Sequence, residues 1–124
     1  MITGLGIDLC EIARMETLIR DGRFLERYFN KEEQEYIGSK GQSGPQTMAG
    51  IFAAKEALGK ALGVGITADL KEITITHDES GAPHYILMGE YARLAEDRRV
   101  SLFHLSITHD AGVAAAVCIA ERNG

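Results

Sequence analysis

At 124 residues and 13.5 kDa, with 45% of residues hydrophobic, the chain is long enough for one core, so residues 1–124 read as a single domain. A core of this size is marginal, which makes help from an oligomer unsurprising. A formal charge of −5 argues against a protein whose main business is a nucleic-acid backbone, and no stretch approaches the ~18 apolar residues of a membrane span.

The start, Met-Ile-Thr-Gly-Leu-Gly-Ile-Asp, has no basic region, sustained apolar run or small-residue cleavage site, so a cytoplasmic protein is expected. Cys10 and Cys118 are too few and too far apart for a disulfide framework or a zinc site, and read as buried thiols in a reducing compartment. Ile2 to Ile7 form a short strand that Asp8 ends. A carboxylate at a strand end is held rigidly and suits an active-site acid. Equally, Asp8 and Glu11 form the D-x-x-E pattern of a helix cap.

From Leu9 the period turns helical through Ile12, Met15, Leu18 and Ile19, until Asp21-Gly22 stops it. Arg14, Arg20, Arg23 and Arg27, half of the chain's arginines, lie here with Lys31. They could receive an acidic partner. The interleaved Glu16, Asp21 and Glu26 fit a solvated helix face instead. A second helix starts at Asn30, an N-cap with Glu33 three residues later, and runs to Ile37. Gly38 to Pro45 is a surface loop.

Thr47 to Leu62 lacks proline and is dominated by alanine and leucine, so it is expected to be the longest helix, ended by Gly63 and Gly65. Met48, Ile51, Phe52, Leu58 and Leu62 make its core stripe. Ala49, Ala53, Ala57 and Gly63 surround Glu56 and Lys60, so this acid and base project from a face without bulk, which something can approach closely. Alone, Glu56 and Lys60 read as an i,i+4 ion pair worth about 0.3–0.5 kcal/mol. Lys55 points into the apolar stripe, either snorkelling to keep its ammonium wet or meeting an anionic ligand at the edge.

Ile73 to Thr76 and His84 to Leu87 flank Asp78-Glu79-Ser80-Gly81, a hairpin. Glu90 to Asp97 is a short helix, and Leu102 to Thr108 and Val113 to Ala120 are two strands joined around Asp110-Ala111-Gly112. This order predicts an α+β fold with helices packed on an antiparallel sheet. The run His104 to Asp110 invites a Ser-His-Asp reading, but Ser106 and His109 face opposite sides of a strand, and no G-x-S-x-G exists. His104 reads as a structural hydrogen bonder. His109 and Asp110, at the turn, are better placed for a ligand. Asp8 and Glu56, should they converge, would hold Mg²⁺ with substrate phosphates.

Gly4-Leu5-Gly6-Ile7-Asp8 through Arg14, then Phe52-Ala53-Ala54-Lys55-Glu56-Ala57 with Lys60-Ala61 and Gly63, then Ser106-Ile107-Thr108-His109-Asp110 resemble, in order and separation, the holo-acyl-carrier-protein synthase family of 4′-phosphopantetheinyl transferases. The resemblance covers essentially the whole chain. It implies a compact α+β homotrimer with coenzyme A bound between subunits, and transfer of its phosphopantetheine arm to a serine of apo-acyl carrier protein. It implies Asp8 and Glu56 as Mg²⁺ ligands, and Lys60 as the group neutralising the phosphate or the leaving 3′,5′-ADP. Thr108, His109 and Asp110 would contact the nucleotide from the adjoining subunit, with Lys55, Gly63 and Gly65 as further coenzyme A contacts. Arg14, Arg20, Arg23 and Arg27 fall where the family docks the carrier's acidic helix.

The chain departs from the family at Ile51, where many members carry a basic residue, so one phosphate contact is missing. Lys55 or an arginine elsewhere is the candidate to compensate. Val64 stands where a small polar residue is common. Two rival readings use the same residues: a binding module that keeps the fold without the chemistry, and a metal-dependent phosphohydrolase with water as acceptor.

Overall fold

A computed structural model describes residues 1–124, and its architecture is α+β, as the element order predicts. Its elements are β1 (Ile2–Glu11), α1 (Ile12–Leu18), α2 (Arg23–Tyr28), α3 (Lys31–Gly38), α4 (Gly44–Ala61), β2 (Ile73–His77), β3 (Pro83–Leu87), α5 (Gly89–Asp97), β4 (Leu102–Asp110) and β5 (Val113–Glu121). β1, β5 and β4 form one antiparallel sheet in that order, while β2 and β3 form a separate hairpin.

Helix α4 lies against the three-stranded sheet and is the centre of the core. The alternation of β5 turns Ala114, Ala116, Cys118 and Ala120 inward, all fully buried. Opposite them α4 buries Ala49, Ala53, Ala54 and Ala57 beside Met48, Ile51, Phe52 and Leu58. Small side chains on both surfaces let helix and sheet approach closely. The expected core stripe is therefore buried throughout, and the face without bulk receives strand β1 rather than a second helix.

That approach is closest at two glycines of β1. A Cβ on Gly4 would overlap the carbonyl oxygen of Ala61, and one on Gly6 that of Ala57. Any side chain at either position would push the strand off the helix, so these glycines hold Asp8, two residues further along, against the last turns of α4. The strand also runs further than expected, to Glu11. Asp8 is thus an interior strand residue, and the cap of α1 is Glu11, which makes no side-chain cap bond. The capping reading of Asp8 is corrected, because β1 keeps pairing with β5 as far as Glu11↔Val113. The predicted first helix ends ahead of Asp21-Gly22, as expected, as α1, and a further short helix that the sequence did not announce, α2, follows Gly22, whose backbone is left-handed. The capping box at Asn30 and Glu33 forms as predicted, with both reciprocal bonds present.

Candidate active site

The inward face of β1 and one face of α4 bring together Asp8, Glu56 and Lys60. The Lys60 ammonium donates to Asp8 Oδ1 at 2.8 Å and to the Ile7 carbonyl at 3.0 Å. Lys60 therefore pairs with the strand acid rather than with Glu56, its i,i+4 neighbour. Asp8 holds the lysine charged and raises its pKa. The second Asp8 oxygen, Oδ2, is buried and has no hydrogen-bond partner.

Glu56 is close enough to Asp8 to be perturbed by it: its carboxyl pKa is raised to about 7, first by burial and then by the neighbouring Asp8 carboxylate. Two carboxylates facing one another with one orphaned oxygen form a seat for a cation. Mg²⁺ is bound through one or two carboxylates, with waters and substrate phosphates completing its shell, so these two residues fit it. The chain holds no cluster of three or more His, Cys, Asp or Glu that could bind a metal unaided, so a cation at this pair would need substrate phosphates and water to complete its shell.

Of the four arginines, Arg14 is near enough to this centre for its charge to act on Glu56. Arg14 lays its guanidinium over the rings of Phe24 and Phe52, 5.9 and 5.8 Å from their centroids. Arg27 covers Tyr28 at 5.4 Å. Only Arg23 pairs with an interleaved acid, Asp21, at 3.2 Å. Arg14, Arg20 and Arg27 make no ion pair, so the mixed-charge face is not internally neutralised.

Lys55 requires a correction. It neither snorkels nor meets a ligand: it is wholly buried, and its three N–H groups donate to Glu33 Oε1 at 2.7 Å and to the carbonyls of Tyr28 and Leu70 at 2.9 Å. Glu33 also accepts from the backbone N–H groups of Asn30 and Ile75. With every donor used, Lys55 has nothing left for a phosphate and does not compensate for Ile51. Ile51 is itself part of the core, 1% exposed.

Thr108, His109 and Asp110 end β4 on the far side of the sheet. Strand parity holds as read from the sequence: Ser106 and Thr108 face outward, Leu105 and Ile107 inward. His104 hydrogen-bonds Glu121 at 2.9 Å, the structural role expected of it. His109 meets Gln46 at 2.9 Å near the start of α4 and lines a cleft of about 170 Å³ with Tyr36, Ile51 and His77. Gln46 and Glu56 are ten residues apart on one helix, roughly 15 Å along its axis. A single chain therefore does not unite His109 with the Asp8–Glu56–Lys60 centre. Asp110 accepts the N–H of Ala111 and shapes the turn.

Gly63 and Gly65 both take left-handed backbone at the end of α4. Gly59, not singled out in the sequence, matters as much, because a Cβ there would overlap the Gly65 carbonyl. A glycine within a strong helix costs up to about 1 kcal/mol against alanine, and that cost was the available signal. It lets the loop after α4 fold back across the helix one turn from Glu56.

Two acids and a lysine, rigidly set where a strand crosses a helix end with Arg14 nearby, define an enzyme site of the phosphoryl-transfer class. The chain belongs to the 4′-phosphopantetheinyl transferase superfamily, whose family model matches residues 4–118. It is 45% identical to the holo-[acyl-carrier-protein] synthase of Treponema denticola over 122 residues, which cover 98% of this chain and 99% of that one. Its fold matches the crystal structure of the holo-[acyl-carrier-protein] synthase from Neisseria meningitidis with a TM-score of 0.88 at 30% identity, covering 98% of this chain and 100% of that one. It likewise matches that of Helicobacter pylori in complex with coenzyme A, with a TM-score of 0.81 at 34% identity, over 94% and 99% of the two chains.

Proposed function

We propose that the chain moves the 4′-phosphopantetheine group of coenzyme A to a serine of apo-acyl carrier protein, giving holo-acyl carrier protein and 3′,5′-ADP, with Mg²⁺ required. The observation that carries this is the Asp8–Glu56 pair, with its orphaned Oδ2 and Lys60 alongside. Asp8 and Glu56 would hold the Mg²⁺, which when bound supplies charge stabilisation on the phosphates.

The chain's own residues supply the rest. Glu56 takes the proton of the serine hydroxyl. The serine oxygen then bonds to the β-phosphorus of coenzyme A, and the bond to the oxygen bridging the two phosphates breaks. The electron pair leaves on 3′,5′-ADP, and Lys60 neutralises the charge. The serine belongs to the carrier, so Ser106 needs no nucleophilic role.

The cationic surface of Arg14, Arg20, Arg23 and Arg27 supports an acidic carrier as the acceptor rather than water, against the phosphohydrolase reading. Retention of Asp8, Glu56 and Lys60 together speaks against a module without chemistry.

A homotrimer completes the site. Leu5, Ile7 and Leu9 are 63%, 60% and 66% exposed on the outward face of β1, beside Val117 and Ile119 of β5. An apolar sheet face of this kind marks an interaction surface. A neighbour docked there would bring its Thr108, His109 and Asp110 to the nucleotide. The cytoplasm is the expected location: Cys10 and Cys118 are free thiols, and no helix is long and apolar enough to cross a membrane.

The test is the intact mass of a purified apo-acyl carrier protein incubated with the enzyme, coenzyme A and Mg²⁺. A gain of one phosphopantetheine group, with 3′,5′-ADP released and neither seen in EDTA, is expected. Release of 3′,5′-ADP with unmodified carrier would favour the phosphohydrolase instead.

A further inference from the structure

Of the four histidines, three have hydrogen-bond partners within the chain: His84 meets Asp78, His104 meets Glu121 and His109 meets Gln46. His77, at the end of β2, has none. Its imidazole lies flat on the ring of Tyr36 from α3, with centroids 4.0 Å apart and planes 8° apart. The Lys40 ammonium stands 4.6 Å from the Tyr36 centroid. Stacking fixes an imidazole through its face and leaves both ring nitrogens free.

His77 lines the cleft of about 170 Å³ that also holds His109, Gln46 and Thr47. That volume is below what a drug-sized ligand fills, so the cleft takes one group of a larger molecule. No Asp or Glu lines it, which suits an anionic group. No Lys or Arg lines it either, and Ile51 supplies only hydrocarbon. The two histidines are therefore the groups in its wall that can meet an anion with positive charge. Coenzyme A carries phosphates and no carboxylate. With its diphosphate at the Asp8–Glu56–Lys60 centre, the anionic group left for a separate site is the 3′-phosphate.

We propose that His77 is a donor-specificity residue, held by Tyr36 so that it and His109 bind the 3′-phosphate of the coenzyme A seated on the adjoining subunit. This rests on the transferase reading above. In the free chain, burial and then the Lys40 charge hold His77 below its ordinary range; Asp78 opposes the shift and His84 adds to it. A phosphate beside the ring acts the other way and draws a proton onto it. The contribution of His77 to affinity is thus present at low pH and is lost as pH rises through the pKa of the occupied site.

The experiment compares coenzyme A with 3′-dephospho-coenzyme A. Binding of each to the full chain is measured by calorimetry with Mg²⁺ at pH 6 and pH 8, for wild type, His77→Phe, His77→Gln and His77→Lys. His77→Phe keeps a ring to stack on Tyr36 and removes the nitrogens. It is expected to weaken coenzyme A about tenfold at pH 6, the effect of one hydrogen bond to a charged group, and to leave the dephospho compound unchanged. The loss is smaller at pH 8. His77→Gln behaves alike, and His77→Lys keeps the preference for coenzyme A at both pH values. In steady-state transfer, KM for coenzyme A rises in His77→Phe while kcat holds, because the 3′-phosphate is remote from the attacked phosphorus.

Equal weakening of both donors by His77→Phe, or of neither, would overturn the proposal, since a histidine that only braces the hairpin has no means of telling them apart. Wild-type protein that shows this discrimination but transfers nothing would defeat the transferase reading and leave the His77 assignment standing. Melting temperatures confirm that each variant folds.

Discussion

Lys55 and Lys60 stand five residues apart on α4 and serve opposite ends. Burial disfavours the charged form of both Lys55 and Glu33, and the pair persists because every polar atom is matched. Removing one member strands the other's charge in the core. Lys55→Met and Glu33→Gln are each expected to cost about 3–5 kcal/mol, read by urea denaturation, whereas Lys60→Met, at a half-exposed site, costs little stability and abolishes transfer. Equal losses at Lys55 and Lys60 would contradict this division.

Glu56 carries a pH signature in the metal-free protein. Its folded pKa of about 7 lies above its ordinary 4.5, so the folded chain binds that proton more tightly than the unfolded chain does. Its contribution to stability is greatest at low pH, is lost as pH rises from about 4.5 to about 7, and is flat above. Melting temperatures in EDTA at pH 5 and pH 8 are expected to fall further for the wild type than for Glu56→Gln. Parallel falls would show that Glu56 is not perturbed. Metal affinity should rise over the same interval, because metal and proton compete for one carboxylate pair.

At the scale of elements, the site is a product of how closely β1 lies on α4. Gly6→Ala is expected to force the strand away from the Ala57 carbonyl, at about 1–3 kcal/mol in stability. The displaced Asp8 should lower kcat roughly 10²-fold, as an ~1 Å misplacement does. A normal melting temperature and kcat in this variant would mean that the contact yields more easily than its backbone partner suggests.

This packing was half legible in the sequence. The alanine face of α4 announced a close approach, and the helical period, the Asn30 cap and the parity of β4 gave the element types. What covered that face was not legible, since small residues permit a strand, a helix or a ligand alike. Lys55 misled for a related reason: its direction into the core was readable, but its partner Glu33 lies on α3 and meets it only through tertiary packing. Asp8 misled because D-x-x-E is a local signal, and pairing of β1 with β5 outweighs it.

For the whole molecule, the distance along α4 between Gln46, which His109 contacts, and Glu56 points the same way as the apolar outer face of β1. Ile7→Glu places a charge in the middle of that face and is expected to leave the chain folded but monomeric and inactive, as checked by light scattering and circular dichroism. Activity from a folded monomer would show that one chain suffices.

A site shared between copies is tested most directly by mixing two inactive variants, Glu56→Gln and His109→Ala, after unfolding and refolding them together. In a ring of head-to-tail contacts each site takes Glu56 from one chain and His109 from the next, so random assembly leaves about a quarter of the sites intact. Recovery of about a quarter of wild-type transfer, from parents that have almost none, is the predicted result. A mixture no more active than its two components would contradict a site completed by a second chain.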